Sequence, residues 1–478
     1  MNKPKAHRAH YIPNSHLDRE WTLDFQHTRE LTVQFIDSLL DILEKVPDYQ
    51  FLMDSQTVPL EDYLQIRPEK EAVIRQYVQA KRLHIGPWYS APDMNTISGE
   101  SITRNLLVGH RMAADFGQVM KVGYTPFGFV HISQLPQIYE QFGIDTCFFY
   151  RGIPQLDGSE FIWEGPDGTR ILSSRLSKQS RYNYFWNVWR QGLYHDQEAR
   201  LDRCYDWRTG QLPFKMCDEE MRFDHGTILK ARRQLDPAIV KEELRALFAR
   251  EKEMFRTHEI SFMHGFDTSA PELLEDEVLR LCQNLTEKDE ELFYSSMPQY
   301  ADALKEALVG VDLPVYRGEM KYPEIKPNGF HQTFVNIIST RSRQKIFTTK
   351  VENLLLRNTE PFAALATTLG AEWPKPYLDF AWREFLKCHP HDTIGGCCID
   401  AIEEDTMHRL RQTQSISRCL LKSSLGRIQS VIDTSSLQSE DILITLFNPS
   451  PFSRSEVVTC YVDIPRELNL DSFVIVDA

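Results

Sequence analysis

Short apolar runs alternate with segments of helical periodicity along the first third of the chain. Residues 28–45 carry Leu31, Phe35, Leu39 and Leu43 at every fourth position, which places them on one face of a helix. Further helices are expected at residues 69–81, 98–116 and 134–142, and strands at residues 9–13, 51–53, 83–86 and 146–150. Strands that alternate with helices predict βα units on a mostly parallel sheet.

The pattern changes towards the end of the chain. Residues 175–215 have little periodicity and indicate loops around a cleft, whereas residues 237–258 predict a polar helix and residues 260–265 the last strand of the first domain. Longer helical patterns cover residues 341–371, 377–386 and 399–431, and apolar strand patterns follow at 442–447 and 457–462. We therefore expect an α/β domain over residues 1–270, a helical-bundle domain over 271–435 and the incomplete start of a β domain over 436–478.

Composition narrows the class of protein. With 42% hydrophobic and 26% charged residues, the 478-residue chain has the composition of a soluble globular protein. A net charge of −14 argues against nucleic acid or an anionic membrane as a partner. The nine cysteines follow no repeating spacing, and neither a signal core nor a membrane-spanning run is evident, so we expect a cytoplasmic protein without a disulfide framework.

The first candidate functional residues lie in the segment that follows the first apolar run, Asn-Ser-His-Leu-Asp-Arg-Glu-Trp. His16 and Asp18 are two positions apart, so an extended backbone places both side chains on the same side of the chain. Imidazole and carboxylate are ordinary zinc ligands, and a distant histidine could complete the site by folding back. For an isolated His-x-Asp pair, the alternative is a loop cap.

A second segment near the other end of the chain, Cys-His-Pro-His-Asp-Thr-Ile-Gly-Gly-Cys, contains His391 and Asp392. Together the two segments resemble the metal-binding stretches of glycoside hydrolase family 38, the metal-dependent α-mannosidases, and of its bacterial members in particular. The resemblance implies hydrolysis of α-mannosyl oligosaccharides or conjugates with the help of a divalent metal, for which Zn²⁺ is the leading expectation. It implies that His16, Asp18 and His391 hold this metal.

The resemblance also implies roles for residues around the sugar. Asp267, in a Gly-x-Asp after a strand, matches the general acid/base, which needs a raised pKa to protonate the leaving oxygen. The expected substrate-binding residues are Trp21, Asp93, Arg151 and Asp392. Taken alone, Trp21 could equally be a half-buried core residue, and a Gly-x-Asp is more often a turn.

The chain departs from the family pattern at the nucleophile. In Gly-Tyr-Thr-Pro-Phe-Gly-Phe-Val-His-Ile-Ser-Gln-Leu-Pro, the flanks match without a gap, and Phe127 stands where the family has its nucleophilic aspartate. Phenylalanine can neither form a glycosyl ester nor bind a metal, whereas a retaining glycosidase needs two carboxyl groups. A metal site with three protein ligands is weakened, but not abolished, by this loss.

Several alternatives follow from that departure. A catalytically impaired relative that still binds sugar, or a truncated product without function, would lack the nucleophile in the same way. A deacetylase-like hydrolase that attacks with metal-bound water would not need an aspartate at position 127. Family members usually continue into large C-terminal β-rich domains and often dimerise, so the resemblance implies that this chain ends early and forms a homodimer.

Overall fold

The computed structural model describes residues 6–153, 158–177, 181–194, 234–267, 269–322, 334–438, 441–469 and 472–476. Its strands are β1 His7–Pro13, β2 Phe51–Leu52, β3 Leu83–His84, β4 Gly123–Tyr124, β5 Thr146–Phe149, β6 Glu160–Glu164, β7 Arg170–Arg175, β8 Glu259–His264, β9 Glu290–Tyr294 and β10 Val315–Arg317. Its α-helices are α1 Phe25–Lys45, α2 Val58–Leu64, α3 Glu71–Gln79, α4 Gly99–Asp115, α5 Leu135–Gln141, α6 Arg190–Tyr194, α7 Pro237–Met254, α8 Leu274–Leu285, α9 Met297–Ala307, α10 Ser342–Leu354, α11 Glu360–Thr368, α12 Lys375–Leu386, α13 His391–Gly395 and α14 Asp400–Gln429.

The strands form mostly parallel sheets, as the alternation of strands and helices predicts. The strand orders are β8-β1-β9, β10-β6-β7-β5-β4 and β2-β3, and all pairs are parallel except the β6–β7 hairpin. In the first sheet Pro13 lies opposite His264, so β1 and β8 end at the same edge. Side chains that follow these two strands are therefore brought together there.

Local sequence explains why the helices begin where they do. The Asp24 side chain accepts hydrogen bonds from the backbone N–H groups of Gln26 and His27 and caps α1. The Ser98 hydroxyl accepts one from the Ser101 N–H at the start of α4, as expected for an N-cap. The predicted apolar face of α1 is buried, with Leu39 and Leu43 at 0% exposure.

Two expectations about the middle of the chain are wrong. Within the segment expected to form loops, residues 181–194 are largely helical, and the Phe185, Trp186 and Trp189 side chains are buried in the core, so aromatic packing rather than periodicity orders it. The strand at residues 260–265 was expected to be the last of the first domain, but β9 follows it and pairs with β1 in the same sheet. The parts of residues 175–215 at 178–180 and 195–215 lie outside the described residues.

The chain divides into two compact units. The first comprises Met1–Lys345 and Leu386–Thr406, and the second comprises Ile346–Phe385 and Met407–Ala478. The boundaries expected at residues 270 and 435 remain predictions. No helix in the described part of the chain is both long and apolar enough to cross a membrane.

The strands expected at residues 442–447 and 457–462 do not form. Within residues 441–469, the structure describes one short 3₁₀ turn and otherwise irregular backbone. Val457 and Tyr461 are 96% and 99% exposed, so their apolar side chains have no sheet to pack on. Strands are stabilised by pairing, and this segment pairs with no described strand. That it opens a β domain remains a prediction.

Candidate active site

Three predicted metal ligands converge beyond the end of β1. His16 and Asp18 lie in the loop after β1, and His391 is the first residue of α13. The His16 Nε2 atom is 3.3 Å from the His391 Nε2 atom and 2.7 Å from the Asp18 Oδ1 atom. The His391 Nε2 atom is 3.5 Å from the same Asp18 oxygen, and all three residues are buried.

Hydrogen bonds at the far side of each imidazole define which nitrogen faces the cluster as an acceptor. The His16 Nδ1 atom lies 2.6 Å from the Asp54 Oδ2 atom, and the His391 Nδ1 atom lies 3.2 Å from the Ala91 carbonyl oxygen. Because both neighbours can only accept, each Nδ1 carries a hydrogen, and each Nε2 presents a lone pair whenever a metal ion takes the place of a proton there. Two lone pairs and a carboxylate oxygen then face one another in a buried space.

This arrangement fits a divalent cation. Two nitrogen ligands of a tetrahedral zinc ion, each about 2.0–2.1 Å from the metal, are roughly 3.3–3.4 Å apart, which matches the two Nε2 atoms. The buried Asp18 Oδ1 atom makes no well-aligned hydrogen bond to a described residue. Burial disfavours the charged form of His16, but the Asp18 and Asp54 carboxylates outweigh it and raise its pKa, so a positive charge is favoured here. Burial lowers the pKa of His391 to about 3, which keeps it neutral.

The loop that carries Asp18 is held by a buried ion-pair network. The Arg19 guanidinium donates to both Asp62 oxygens, at 2.7 and 3.2 Å, and to the Glu20 Oε1 atom at 2.6 Å. The Glu20 Oε2 atom accepts from the Thr393 hydroxyl at 3.0 Å. Arg19 and Glu20 therefore join the first motif to α13, a structural role that the sequence motif alone did not reveal.

Asp267 lies beside the metal cluster, but its ionisation differs from the expectation. It follows β8 and forms an isolated parallel bridge with His16. Its Oδ1 atom accepts from the Arg181 Nη2 atom at 2.6 Å and from the Tyr182 hydroxyl at 3.0 Å. Burial raises the pKa of Asp267, yet the positive charges of Arg181 and His16 outweigh it and lower the pKa overall. The raised pKa that a general acid needs is not present in this state of the site.

Phe127 is fully buried next to the cluster. Its ring centroid is 6.0 Å from that of His391 and 6.4 Å from that of Trp88. Phe129 packs edge-on against His391 at 5.2 Å. Position 127 thus lies where its side chain borders a candidate metal ligand, and the side chain there is apolar.

The other expected sugar-binding residues surround this cluster at different depths. Asp392 is buried beside His391, and both burial and the Asp18 charge raise the pKa of its carboxyl. Asp93 is also buried; burial raises its pKa to about 6, and its Oδ1 atom has no partner among the described residues. Trp21 is partly exposed and borders a surface cavity together with Asp18.

Arg151 lies on the aromatic side of the cluster. Its guanidinium carbon is 5.6 Å from the ring centroid of Phe129, which contacts His391, and 5.0 Å from that of Tyr150. The residues expected from sequence are thus grouped within the first unit, and their roles towards a sugar remain predictions.

Family models account for most of the chain. The N-terminal domain of the family 38 glycosyl hydrolases matches residues 6–319, and the α-mannosidase middle domain matches residues 332–428. The chain belongs to glycosyl hydrolase family 38. The resemblance drawn from the two sequence motifs is confirmed.

Relatives of this family 38 chain are longer proteins. A Halalkalibacterium halodurans protein with the provisional name mannosylglycerate hydrolase is 30% identical over 94% of the chain, and the match covers 46% of that protein. A Saccharomyces cerevisiae α-mannosidase is 24% identical over 82% of the chain and 32% of its own length. The structure of an Enterococcus faecalis α-mannosidase superposes with a TM-score of 0.77 at 26% identity, over 91% of this chain and 44% of that one. The chain spans about half the length of the first of these relatives.

Two residues of this site lie outside the sequence motifs. Asp54 directly follows the predicted strand at residues 51–53, and an acid at that position was a usable signal. Arg181 lies in the segment expected to be loops, where arginines are common, so nothing marked it as a partner of Asp267.

Proposed function

We propose that the chain is an α-mannosidase-type glycoside hydrolase whose site binds α-mannosides with the help of a divalent metal, Zn²⁺ first. The observation that carries the proposal is the convergence of His16 Nε2, Asp18 Oδ1 and His391 Nε2 in a chain of family 38. The relatives' names support a mannoside as the substrate class, in an oligosaccharide or a mannosyl conjugate.

Each site residue has a proposed role that follows from its chemistry. When bound, the metal would supply a Lewis acid that polarises sugar oxygens. His16, Asp18 and His391 would hold it, and Asp392 and Asp93 would bind sugar hydroxyls. The exposed part of Trp21 offers an apolar surface for the C–H face of the ring. Arg151 lies at the aromatic side of the pocket.

Asp267 is the proposed acid/base, and Arg181 is central to that proposal. The guanidinium holds the Asp267 carboxylate in its charged form, which suits a base better than an acid. Proton donation by Asp267 requires that this ion pair loosen when substrate enters. The Arg181 contact thus determines in which direction Asp267 moves a proton.

A second candidate function is supported by Phe127. Its buried ring beside His391 leaves position 127 without a nucleophile, so a double displacement through this position is impossible. A protein that binds α-mannosides with little or no turnover fits this geometry. The two functions share the same metal ligands and differ in the covalent step.

The test compares turnover of 4-nitrophenyl α-mannoside, with added Zn²⁺, by the unaltered chain and by the Phe127→Asp variant. Phe127→Asn is the matched control, because it has the size and polarity of aspartate but forms no glycosyl ester. Calorimetric titration with methyl α-mannoside measures binding for all three proteins.

Turnover that rises roughly 10³-fold or more in Phe127→Asp and stays low in Phe127→Asn supports a family 38 site that has lost its nucleophile. Mannoside binding by the unaltered chain without turnover then favours the second candidate. Equal turnover by all three proteins contradicts the assignment of position 127. Absence of both binding and turnover in every protein contradicts the proposed function.

A further inference from the structure

One buried amide connects the groups that orient both histidines of the metal cluster. Gln56 is 1% exposed and lies between the loop after β1 and the segment that precedes α4. Its Nε2 atom donates to the Asp54 Oδ2 atom at 3.0 Å, the same oxygen that lies 2.6 Å from the His16 Nδ1 atom. One end of the Gln56 amide therefore contacts Asp54, the hydrogen-bond partner of the candidate ligand His16.

The other end of the same amide reaches the partner of the second ligand. The Gln56 Oε1 atom accepts from the Ala91 backbone N–H at 3.2 Å. The Ala91 carbonyl oxygen in turn accepts from the His391 backbone N–H at 2.8 Å and lies 3.2 Å from the His391 Nδ1 atom. A continuous path of hydrogen bonds thus runs from His16 through Asp54, Gln56 and Ala91 to His391.

The local backbone supports a functional role for this path. Asp54 and Ser55 both have positive φ, at 41° and 54°, in a stretch without glycine. Left-handed backbone is unfavourable for a non-glycine residue and persists where the surroundings impose it. Here it places the Asp54 carboxylate against the His16 imidazole and within hydrogen-bond distance of the Gln56 amide. The Gln56 Nε2 atom also donates to the Leu17 carbonyl oxygen at 2.9 Å, so it holds the loop between the ligands His16 and Asp18.

We propose that Gln56 is a positioning residue for the metal centre: it fixes the orientations of His16 and His391 together through Asp54 and Ala91. The inference rests on the proposed metal site and extends it to a residue that contacts neither metal nor sugar. A carboxamide is required because one end must donate and the other must accept. Methionine has nearly the same shape and does neither with comparable strength.

The test measures metal affinity, independently of turnover, by competition of Co²⁺ and Zn²⁺ with a chromophoric chelator. It compares the unaltered chain with Gln56→Met, Gln56→Glu, Asp54→Asn and the double variant that carries Asp54→Asn and Gln56→Met. The visible absorption bands of the Co²⁺-loaded proteins report ligand geometry directly. Gln283→Met is the matched control, because the Gln283 amide is half-buried, donates to the Leu292 carbonyl oxygen and lies outside the site.

Loss of an outer hydrogen-bond partner typically lowers metal affinity 10–100-fold, so we expect roughly that loss in Gln56→Met, with altered Co²⁺ bands. The metal affinity of Gln56→Glu should fall at least as far, because this variant places a second carboxylate against Asp54. The losses of metal affinity in Asp54→Asn and Gln56→Met should not add up in the double variant, because both changes interrupt the same path of hydrogen bonds. Gln283→Met should change thermal stability only.

Unchanged affinity and unchanged Co²⁺ bands in Gln56→Met, with metal bound normally by the unaltered chain, overturn the inference while the proposed function stands. An equal loss in Gln283→Met overturns it too, because general destabilisation then explains the effect. Failure of the unaltered chain to bind either metal overturns the metal site itself, and the inference with it.

Discussion

Arg19 should be among the most costly residues of the first unit to replace. It is 6% exposed, and its guanidinium is surrounded by the buried carboxylates of Asp62 and Glu20 and by the Phe25 ring, whose centroid is 3.9 Å away. Arg19→Met keeps most of the packing of the stem but leaves the carboxylates without their main counter-charge. Removing one partner of a buried ion pair costs about 3–5 kcal/mol. Arg29, 4.0 Å from Asp62, offsets part of this cost, so we expect about 3 kcal/mol.

The measurement is urea unfolding at pH 7 for the unaltered chain, Arg19→Met, Asp62→Leu and the double variant. The double variant should be more stable than Arg19→Met, with an interaction energy of about 2 kcal/mol, because an apolar pair replaces the stranded carboxylate. Arg19→Lys should recover little, since an ammonium cannot bind Asp62 in two places. A loss of less than about 1 kcal/mol in Arg19→Met, or additive single changes, would refute the reasoning.

Two further predictions concern buried positions near the site. His131 is fully buried, neither ring nitrogen has a described partner, and burial lowers its pKa to about 3, so between pH 6.5 and 3 the unfolded chain binds a proton that the folded chain does not. Stability should therefore fall as the pH is lowered. In urea unfolding, the free energy of unfolding of His131→Leu minus that of the unaltered chain should rise by about 1.4 kcal/mol between pH 7.5 and pH 5.5, and an unchanged difference would contradict this. Gly265 has a φ of +129°, and a Cβ there would lie 1.6 Å from the Asn14 carbonyl oxygen, so Gly265→Ala should prevent stable folding. Gly310→Ala, at a φ of +79° with open space around it, should cost only about 1–2 kcal/mol, and thermal unfolding of both variants measures the difference.

Periodicity predicted those helices and strands whose pattern of apolar residues is local, that is, contained in the segment itself. The apolar face of α1 and the start of α4 next to Ser98 are local features, and both predictions are confirmed. The strand β9 was missed because only three residues of its five are apolar or aromatic and its outer edge is partly exposed. Residues 181–194 were missed because their order depends on aromatic packing against distant parts of the core.

The convergence of the three candidate ligands was predictable because they belong to two distinctive motifs. The geometry brings His16, Asp18 and His391 together as those motifs suggest. The position of Asp54 after a predicted strand was a usable signal, but its hydrogen bonds to His16 and Gln56 were not predictable, because they depend on distances that only the folded chain defines. The ionisation of Asp267 likewise depends on Arg181, from a segment without a recognisable pattern.

The candidate metal cluster joins residues that are 375 positions apart. Between them the chain leaves the first unit after Lys345 and returns at Leu386, so His391 reaches its partners only after that excursion is complete. A bound ion would therefore close a loop that contains most of the protein, at an entropic cost that grows only slowly with loop length. The free metal concentration would then determine how much binding stabilises the folded position of this segment. The stabilisation would be about 2.7 kcal/mol at a metal concentration one hundred times the dissociation constant. Chelation should accordingly expose the 386–406 segment to proteases before the rest of the first unit unfolds.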